Sequence, residues 1–430
     1  MLTAFARAFR TPDLRSKMLF TLGIIALYRL GANLPSPGVS YSAIQTCLAQ
    51  VQDSSVYGLV NLFSGGALLQ LSVFALGIMP YITASIIIQL LVVVIPRLES
   101  LKKEGQTGQA KLTQYTRYLT IVLAVLQSTG IVALGRGTPS NLFPQCNLPI
   151  IPDESVFRVL TIVVVMTAGT ALIMWFGELV TARGVGNGMS IMIFASIIAT
   201  LPAQVAAVLQ TTTTVVSIAL GVLALVVVVA VVYVEQAQRR IPVQYAKRMI
   251  GRRMYGGTST YIPLKVNQAG IIPVIFASSL LYLPSLLQQV APPGGAMAEF
   301  IARFLTPGNP VYVLGYFALI MFFTYFYVAI TFNPVEVADN MKKYGGFVPG
   351  IRPGRPTAEY LDFILSRITL VGALYLGAVA VLPLLALSFT GDEQFPFGGT
   401  AVLIIVGVGL ETVKQIESQL MLRNYEGFLR

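Results

Sequence analysis

The sequence predicts an all-α polytopic membrane protein of ten transmembrane helices, set as two pseudo-symmetric, inverted five-helix halves with one re-entrant segment. Composition is the first observation behind this: of 430 residues, 55% are hydrophobic and only 11% charged, against about a quarter charged in an ordinary soluble domain. Long charge-free runs are the second. They recur along the whole chain, near the roughly 20 residues that an apolar helix needs to cross a ~30 Å hydrocarbon core. Lipid leaves helices or a closed barrel as the ways to satisfy every backbone group, and runs this continuously apolar exclude a barrel.

Read in order, the spans are 18–34, 71–95, 118–135, 159–177, 189–209, 215–234, 267–290, 311–332, 369–388 and 399–413. The first leads into further spans without a small-residue cleavage site, so it reads as a retained helix and not as a signal peptide. Residues 56–70 are interrupted by Gly65 and Gly66 and read as re-entrant or interfacial. The last span is short and contains Glu411. Lys and Arg concentrate in alternate loops, as cytoplasmic loops do. With both termini inside, only Arg136, Arg158 and Arg303 fall outside, and Arg29 lies within or at the end of the first span. A single missed span would invert every later loop, so this partition supports an even number of crossings. Five spans per half bring the second half in from the opposite side, the geometry of an inverted repeat whose working site lies between its halves. The expected halves are 1–210 and 211–430.

The chain lacks the residues that most membrane chemistry needs. Ionisable side chains inside spans mark ion and proton pathways, yet the span centres hold almost none, and Arg29, Glu178 and Glu411 sit near span ends, where snorkelling accounts for them. There is no histidine. The segment from Gly184 to Gly188 lacks the spacing and the lysine of a phosphate-binding loop. No catalytic residue, metal site or cofactor is expected, and the chain reads as a passive conduit rather than an enzyme. Cys47 and Cys146 are too few for a metal cluster. Both read as unremarkable residues, although their place on the outer side permits a disulfide.

Two cytoplasmic loops, 235–266 and 333–366, are longer than orientation requires. The first carries Arg239, Arg240, Lys247, Arg248, Arg252 and Arg253, with β-prone runs at 241–245 and 260–264 that suggest a protruding hairpin. The second presents Arg352 between two Pro-Gly pairs. A solvated positive-inside loop or an anionic-lipid contact is the plain reading. Length and defined turns favour docking surfaces, for ribosomal RNA phosphates or an acidic protein face.

Six segments carry a resemblance: NLFSGGAL at 61–68, GIMPYITASI at 77–86, QYTRY at 114–118, RGVGNG at 183–188, PLKVN at 263–267 and FVPGIRPG at 347–354. In this order the chain resembles the SecY family, the channel-forming subunits of the bacterial protein-export translocon, over nearly its full length. The resemblance implies a pore ring of Ile78, Ile82, Ile193, Ile197, Ile275 and Ile404. The i, i+4 spacing of its first two pairs sets each pair on one helix face, and branched apolar side chains at a narrow waist exclude hydrated ions by dewetting. It implies a plug at 61–72, with Asn61, Leu62, Phe63, Ser64, Gly65, Gly66, Ala67 and Leu68 at its heart. A lateral gate would lie between the second and third spans and the seventh and eighth, with Thr83, Gln89, Gln127, Ser278 and Ser279 making interhelical hydrogen bonds of about 0.6 kcal/mol each. Implied partners are the small membrane subunits SecE and SecG, the motor ATPase SecA, the ribosome, signal-bearing preproteins and the bilayer, all at a bacterial plasma membrane. A secondary transporter for a small solute is the alternative from another class. The missing intramembrane acids and the large basic loops argue against it.

Overall fold

The computed structural model describes residues 9, 11–50, 64–136, 146, 148–153, 155–211, 214–245, 248–250, 253–255, 259–290, 309–390 and 399–426. In chain order the helices are α1 (Pro12–Asn33), α2 (Tyr41–Gln50), α3 (Met79–Val94), α4 (Pro96–Lys103), α5 (Gln106–Gly135), α6 (Val156–Arg183), α7 (Gly188–Thr211) and α8 (Thr214–Gln236). Then follow α9 (Ile272–Val290), α10 (Pro310–Thr331), α11 (Pro334–Lys343), α12 (Arg355–Thr390) and α13 (Gly399–Glu426). Among the described residues, α1, α3, α5 to α10, α12 and α13 coincide with the ten expected spans. Seven helices are long and apolar enough to cross a bilayer on their own, and α3 with α4 makes an eighth, bent by 101°. The other two are α1, which carries Asp13, Arg15, Lys17 and Arg29, and α9, whose described apolar part, Ile272–Leu281, is shorter.

Several boundaries differ from expectation. The second span does not begin at 71, because Leu71 and Gly77 take left-handed φ values of 44° and 55° that no α-helix accommodates; the helix starts at Met79, with Pro80 in its first turn. In α12, α13 and α5 the helix extends well beyond the apolar run. Charge marks where a chain leaves hydrocarbon, not where helical hydrogen bonding stops. The polar first turns of α12 supply their own support, an Arg355–Glu359 pair at 3.1 Å and Arg367 over the Phe363 ring at 4.2 Å. Within the second basic loop, Asn333 caps α11 by accepting from the Val335 and Glu336 amides, with Pro334 at the first helical position, a combination that nucleates a helix.

The two basic loops form one unit. Strand β1 (Gln238–Tyr245) pairs antiparallel with β4 (Ser259–Lys265), Ile241 opposite Ile262, as the β-prone runs suggested. Between them, β2 (Arg248–Ile250) and β3 (Arg253–Tyr255) form their own hairpin. The other edge of β1 takes β5 (Gly346–Phe347) from the second loop, giving the order β4-β1-β5. Alternation along β1 turns Ile241 and Val243 inward against Leu264, Met341, Val348, Leu361 and Ile364, and leaves Arg240 and Pro242 exposed.

At the opposite end of the bundle, Cys47 of α2 and Cys146 are joined in a disulfide across a separation of 99 residues, Cα–Cα 5.4 Å. Both half-cystines are buried in an apolar cluster with Ile44, Leu68, Leu71 and Ile150. Covalent closure of so long a loop restricts the unfolded chain. Replacing both residues, Cys47→Ala with Cys146→Ala, is expected to loosen this cap by about 2–4 kcal/mol, read as a lower thermal-unfolding midpoint in detergent. An unchanged midpoint would assign its stability to the apolar cluster alone.

Candidate functional site

Where the long helices meet, branched apolar side chains converge. Ile78 caps α3 and its carbonyl accepts from the Ile82 amide at 3.1 Å, so the two lie one turn apart. Ile193 and Ile197 stand one turn apart on α7, Ile275 lies in the first turn of α9, and Ile404 on α13. All six are 6% exposed or less and belong to one apolar cluster. The structure therefore brings together every isoleucine of the expected ring.

A cavity of about 670 Å³ borders this cluster, with Ile82, Ile193 and Ile275 among its lining residues. Gln89, Thr113, Asn187 and Ser190 add polar groups to a lining that is otherwise mainly apolar. Arg117 of α5 and Glu178 of α6 also line it and are joined by two hydrogen bonds of 2.7 Å each. This fork-to-fork pairing aligns two planar groups and ties the helices together. Snorkelling, the reading that the place of Glu178 near a span end suggests, does not include this partner; the pairing spans 61 residues of sequence and leaves no local pattern.

Residues 64–72 lie against α1 and α7, where Gly65 comes close to Arg29 and Ser196. Ser36 donates its amide to the Leu71 carbonyl at 3.0 Å, and Val73 donates to the Leu34 carbonyl at 2.9 Å, fastening the end of this segment to the chain just after α1. Near its start, the Tyr28 hydroxyl lies 3.2 Å from the Ser64 carbonyl and 2.6 Å from Ser196 Oγ of α7, while Arg29 Nη1 donates to the Gly65 carbonyl at 2.9 Å. Arg29 thus points into the protein and is not simply a snorkelling residue. Its position inside an apolar span was the signal available for this. Asn61, Leu62 and Phe63, expected in the same segment, lie outside the described residues.

The expected gate helices are adjacent: α3 and α5 both pack on α9. Three of their polar residues, however, bond within their own helices. Thr83 Oγ1 donates to the Met79 carbonyl at 3.0 Å, Gln89 Nε2 to Ser85 Oγ at 3.4 Å and Ser278 Oγ to the Ile275 carbonyl at 2.9 Å. Ser279 Oγ is buried without a partner, and Gln127 is buried. A short hydroxyl on a helix reaches its own carbonyl one turn back more readily than a neighbouring helix, which accounts for the difference.

Of the basic residues, Arg239 and Arg240 are exposed on β1, the latter 4.8 Å from the centre of the Tyr261 ring. Arg248 and Arg253 fall on β2 and β3, whereas Lys247 and Arg252 lie outside the described residues. Arg352 is exposed on a turn framed by Gly350 and Gly354, with φ of 84° and 101°. Its carbonyl accepts from Thr357 Oγ1 at 2.8 Å, joining the turn to the start of α12.

Residues 72–413 match the sequence profile of the SecY family. A protein translocase subunit SecY of Streptomyces scabiei is 65% identical over 442 residues, covering 100% of both chains. A solved SecY structure, whose description states that the plug domain stabilises the closed state of the translocation channel and maintains a membrane seal, shares the fold at a TM-score of 0.64 with 19% identity, over 94% of this chain and 91% of that one. The Sec61 channel of the canine ribosome-channel complex from the endoplasmic reticulum aligns at a TM-score of 0.61 with 18% identity, over 94% of this chain and 91% of its own. Profile, full-length identity and fold agree: the chain belongs to the SecY family.

Proposed function

We propose that this chain is the pore-forming subunit of a protein translocase, passing unfolded preproteins across the membrane and releasing apolar segments sideways into lipid. One observation carries the reading: six buried isoleucines from four helices gather in one apolar cluster, and three of them, Ile82, Ile193 and Ile275, line a cavity. Such a waist excludes hydrated ions by dewetting and offers a sliding polypeptide no fixed partner. The halves at 1–210 and 211–430 act as two jaws, and the seam between α3 and α5 on one side and α9 on the other is the lateral gate. No hydrogen bond between the polar residues named there holds the seam, so lipid-facing apolar contact is what a signal sequence replaces. The solute-transporter alternative has no comparable support.

The distribution of Lys and Arg supports placing both termini and the sheet in the cytoplasm of a bacterium, with the disulfide on the oxidising side of the plasma membrane. Exposed Arg239, Arg240 and Arg352 support docking of the ribosome and of the motor SecA, and family membership supports assembly with SecE and SecG. The test is reconstitution: vesicles holding the purified complex should take up a preprotein in a manner that depends on its signal sequence, SecA and ATP. Vesicles that import small solutes and no preprotein would overturn the reading.

The waist makes its own prediction. Ile78→Gly and Ile275→Gly remove branched side chains from the ring and are expected to raise resting ion conductance several-fold while export continues. Conductance equal to the parent in both variants would remove these residues from the seal.

Arg352 makes another. The turn holds the guanidinium on a stiff support, suited to a bidentate pair with a carboxylate that lysine cannot reproduce. Arg352→Glu is expected to abolish SecA-driven uptake and Arg352→Lys to reduce it, with resting conductance unchanged in both. Normal uptake by Arg352→Glu would exclude the docking role, and a leaky resting channel would assign the residue to the fold.

A further inference from the structure

The polar contacts between α1 and residues 64–72 are unusual for a membrane bundle. A half-buried arginine and a fully buried tyrosine, adjacent in sequence, both address main-chain carbonyls of a segment that is not a regular helix. The Tyr28 ring is fixed by stacking on Phe74, with centroids 6.0 Å apart and planes within 10°. Gly31, one turn further along α1, leaves no room for a side chain, since a Cβ there would stand 2.1 Å from the Phe74 ring. The phenol has one proton. The Ser196 hydroxyl also has one, and its oxygen lies 2.9 Å from the Met192 carbonyl; when the phenol donates to the Ser64 carbonyl, Ser196 turns from Met192 to donate to the phenol oxygen, and the chain of hydrogen bonds runs from α7 through α1 to the segment. At Gly65 the backbone φ is 68°, and an added Cβ would meet Arg29 Nη1 at 2.9 Å and Ser196 Cα at 3.2 Å. The segment is seated against both helices with nothing between.

We infer that Tyr28 and Arg29 form a latch that holds the plug in its closed seat by gripping the carbonyls of Ser64 and Gly65. The inference rests on reading residues 64–72 as the plug. A charge-assisted hydrogen bond is strong in a dry, low-dielectric site and weak in water. The latch therefore holds while the waist is dry and weakens as soon as water enters, which makes release of the plug and wetting of the pore mutually reinforcing. The second attachment, the backbone bonds of Ser36 and Val73, lies at the other end of the segment and suits a hinge: it keeps the plug tethered after the latch has let go. Tyr28 and Arg29 are positioning residues, acting on the pore through the plug.

The test uses the channel complex as purified from membranes and reconstituted in vesicles, with two readouts. One is resting ion leak. The other is labelling of an Ala67→Cys reporter by a membrane-impermeant maleimide; Ala67 is fully buried in the seated plug, and the native cysteines are disulfide-bonded. Arg29→Met is expected to raise both readouts roughly tenfold, as loss of one charge-assisted hydrogen bond would. Tyr28→Phe keeps the stacked ring, folds as the parent does, and is expected to raise both by a smaller factor; Arg29→Lys restores most of the seal. Deletion of residues 64–68 is the reference. If the deletion leaks while Arg29→Met and Tyr28→Phe do not, the latch is wrong and the plug reading stands. If the deletion does not leak, the plug reading falls and the latch with it. Leak without added labelling would place the defect in the pore wall and overturn the latch.

Discussion

A peptide group cannot go unpaired inside an apolar bundle, and irregular backbone at membrane depth survives only where protein or a wet cavity satisfies it. The stretch from Ser64 to Ile78 is where this chain meets that constraint. It must leave regular structure to lie across the bundle, and each turn then needs a donor or acceptor from elsewhere. Helix α1 and the residues just after it supply many of them: Tyr28 and Arg29 at the start of the stretch, Leu34 and Ser36 at its end. The late start of α3, the seating of Phe74 against Gly31 and the placement of Ile78 at the mouth of α3 all follow from how that stretch is accommodated.

The same constraint separates what could be read in the sequence from what could not. Spans were legible because hydrocarbon imposes a length and a composition on each one locally, and ten of them could be placed without any knowledge of packing. The β1–β4 pairing was legible for a similar reason, as two β-prone runs flank a short connection. The isoleucine ring drew on family resemblance; only the one-turn spacing of two of its pairs is visible in the chain itself. Arg29 with Gly65, Arg117 with Glu178, and Cys47 with Cys146 are partners 36, 61 and 99 residues apart. Such pairs form where packing happens to bring two elements together, and neither periodicity nor spacing announces them. The left-handed φ of Leu71 belongs in the same class, because leucine gives no warning of it.

Polar residues where α3 and α5 meet α9 show how adjacent helices can differ in energetics from what their composition suggests. Hydroxyls that satisfy themselves on their own helix, as Thr83 and Ser278 do, make that surface behave as apolar. The hydroxyls of Thr83 and Ser278 would keep their partners if two such surfaces parted. Arg117 and Glu178 represent the opposite choice, a bidentate pair that ties α5 to α6.

The small strand β5 carries a mechanical consequence. By joining the edge of β1 it ties the connection between α8 and α9 to the connection between α10 and α12, and the shared apolar core beneath the sheet reaches into α12 through Leu361 and Ile364. Four long helices are thereby clamped at one end to a single plate. A load placed on either connection is therefore shared by all four, and through α9 it reaches α3 and α5, which pack on that helix.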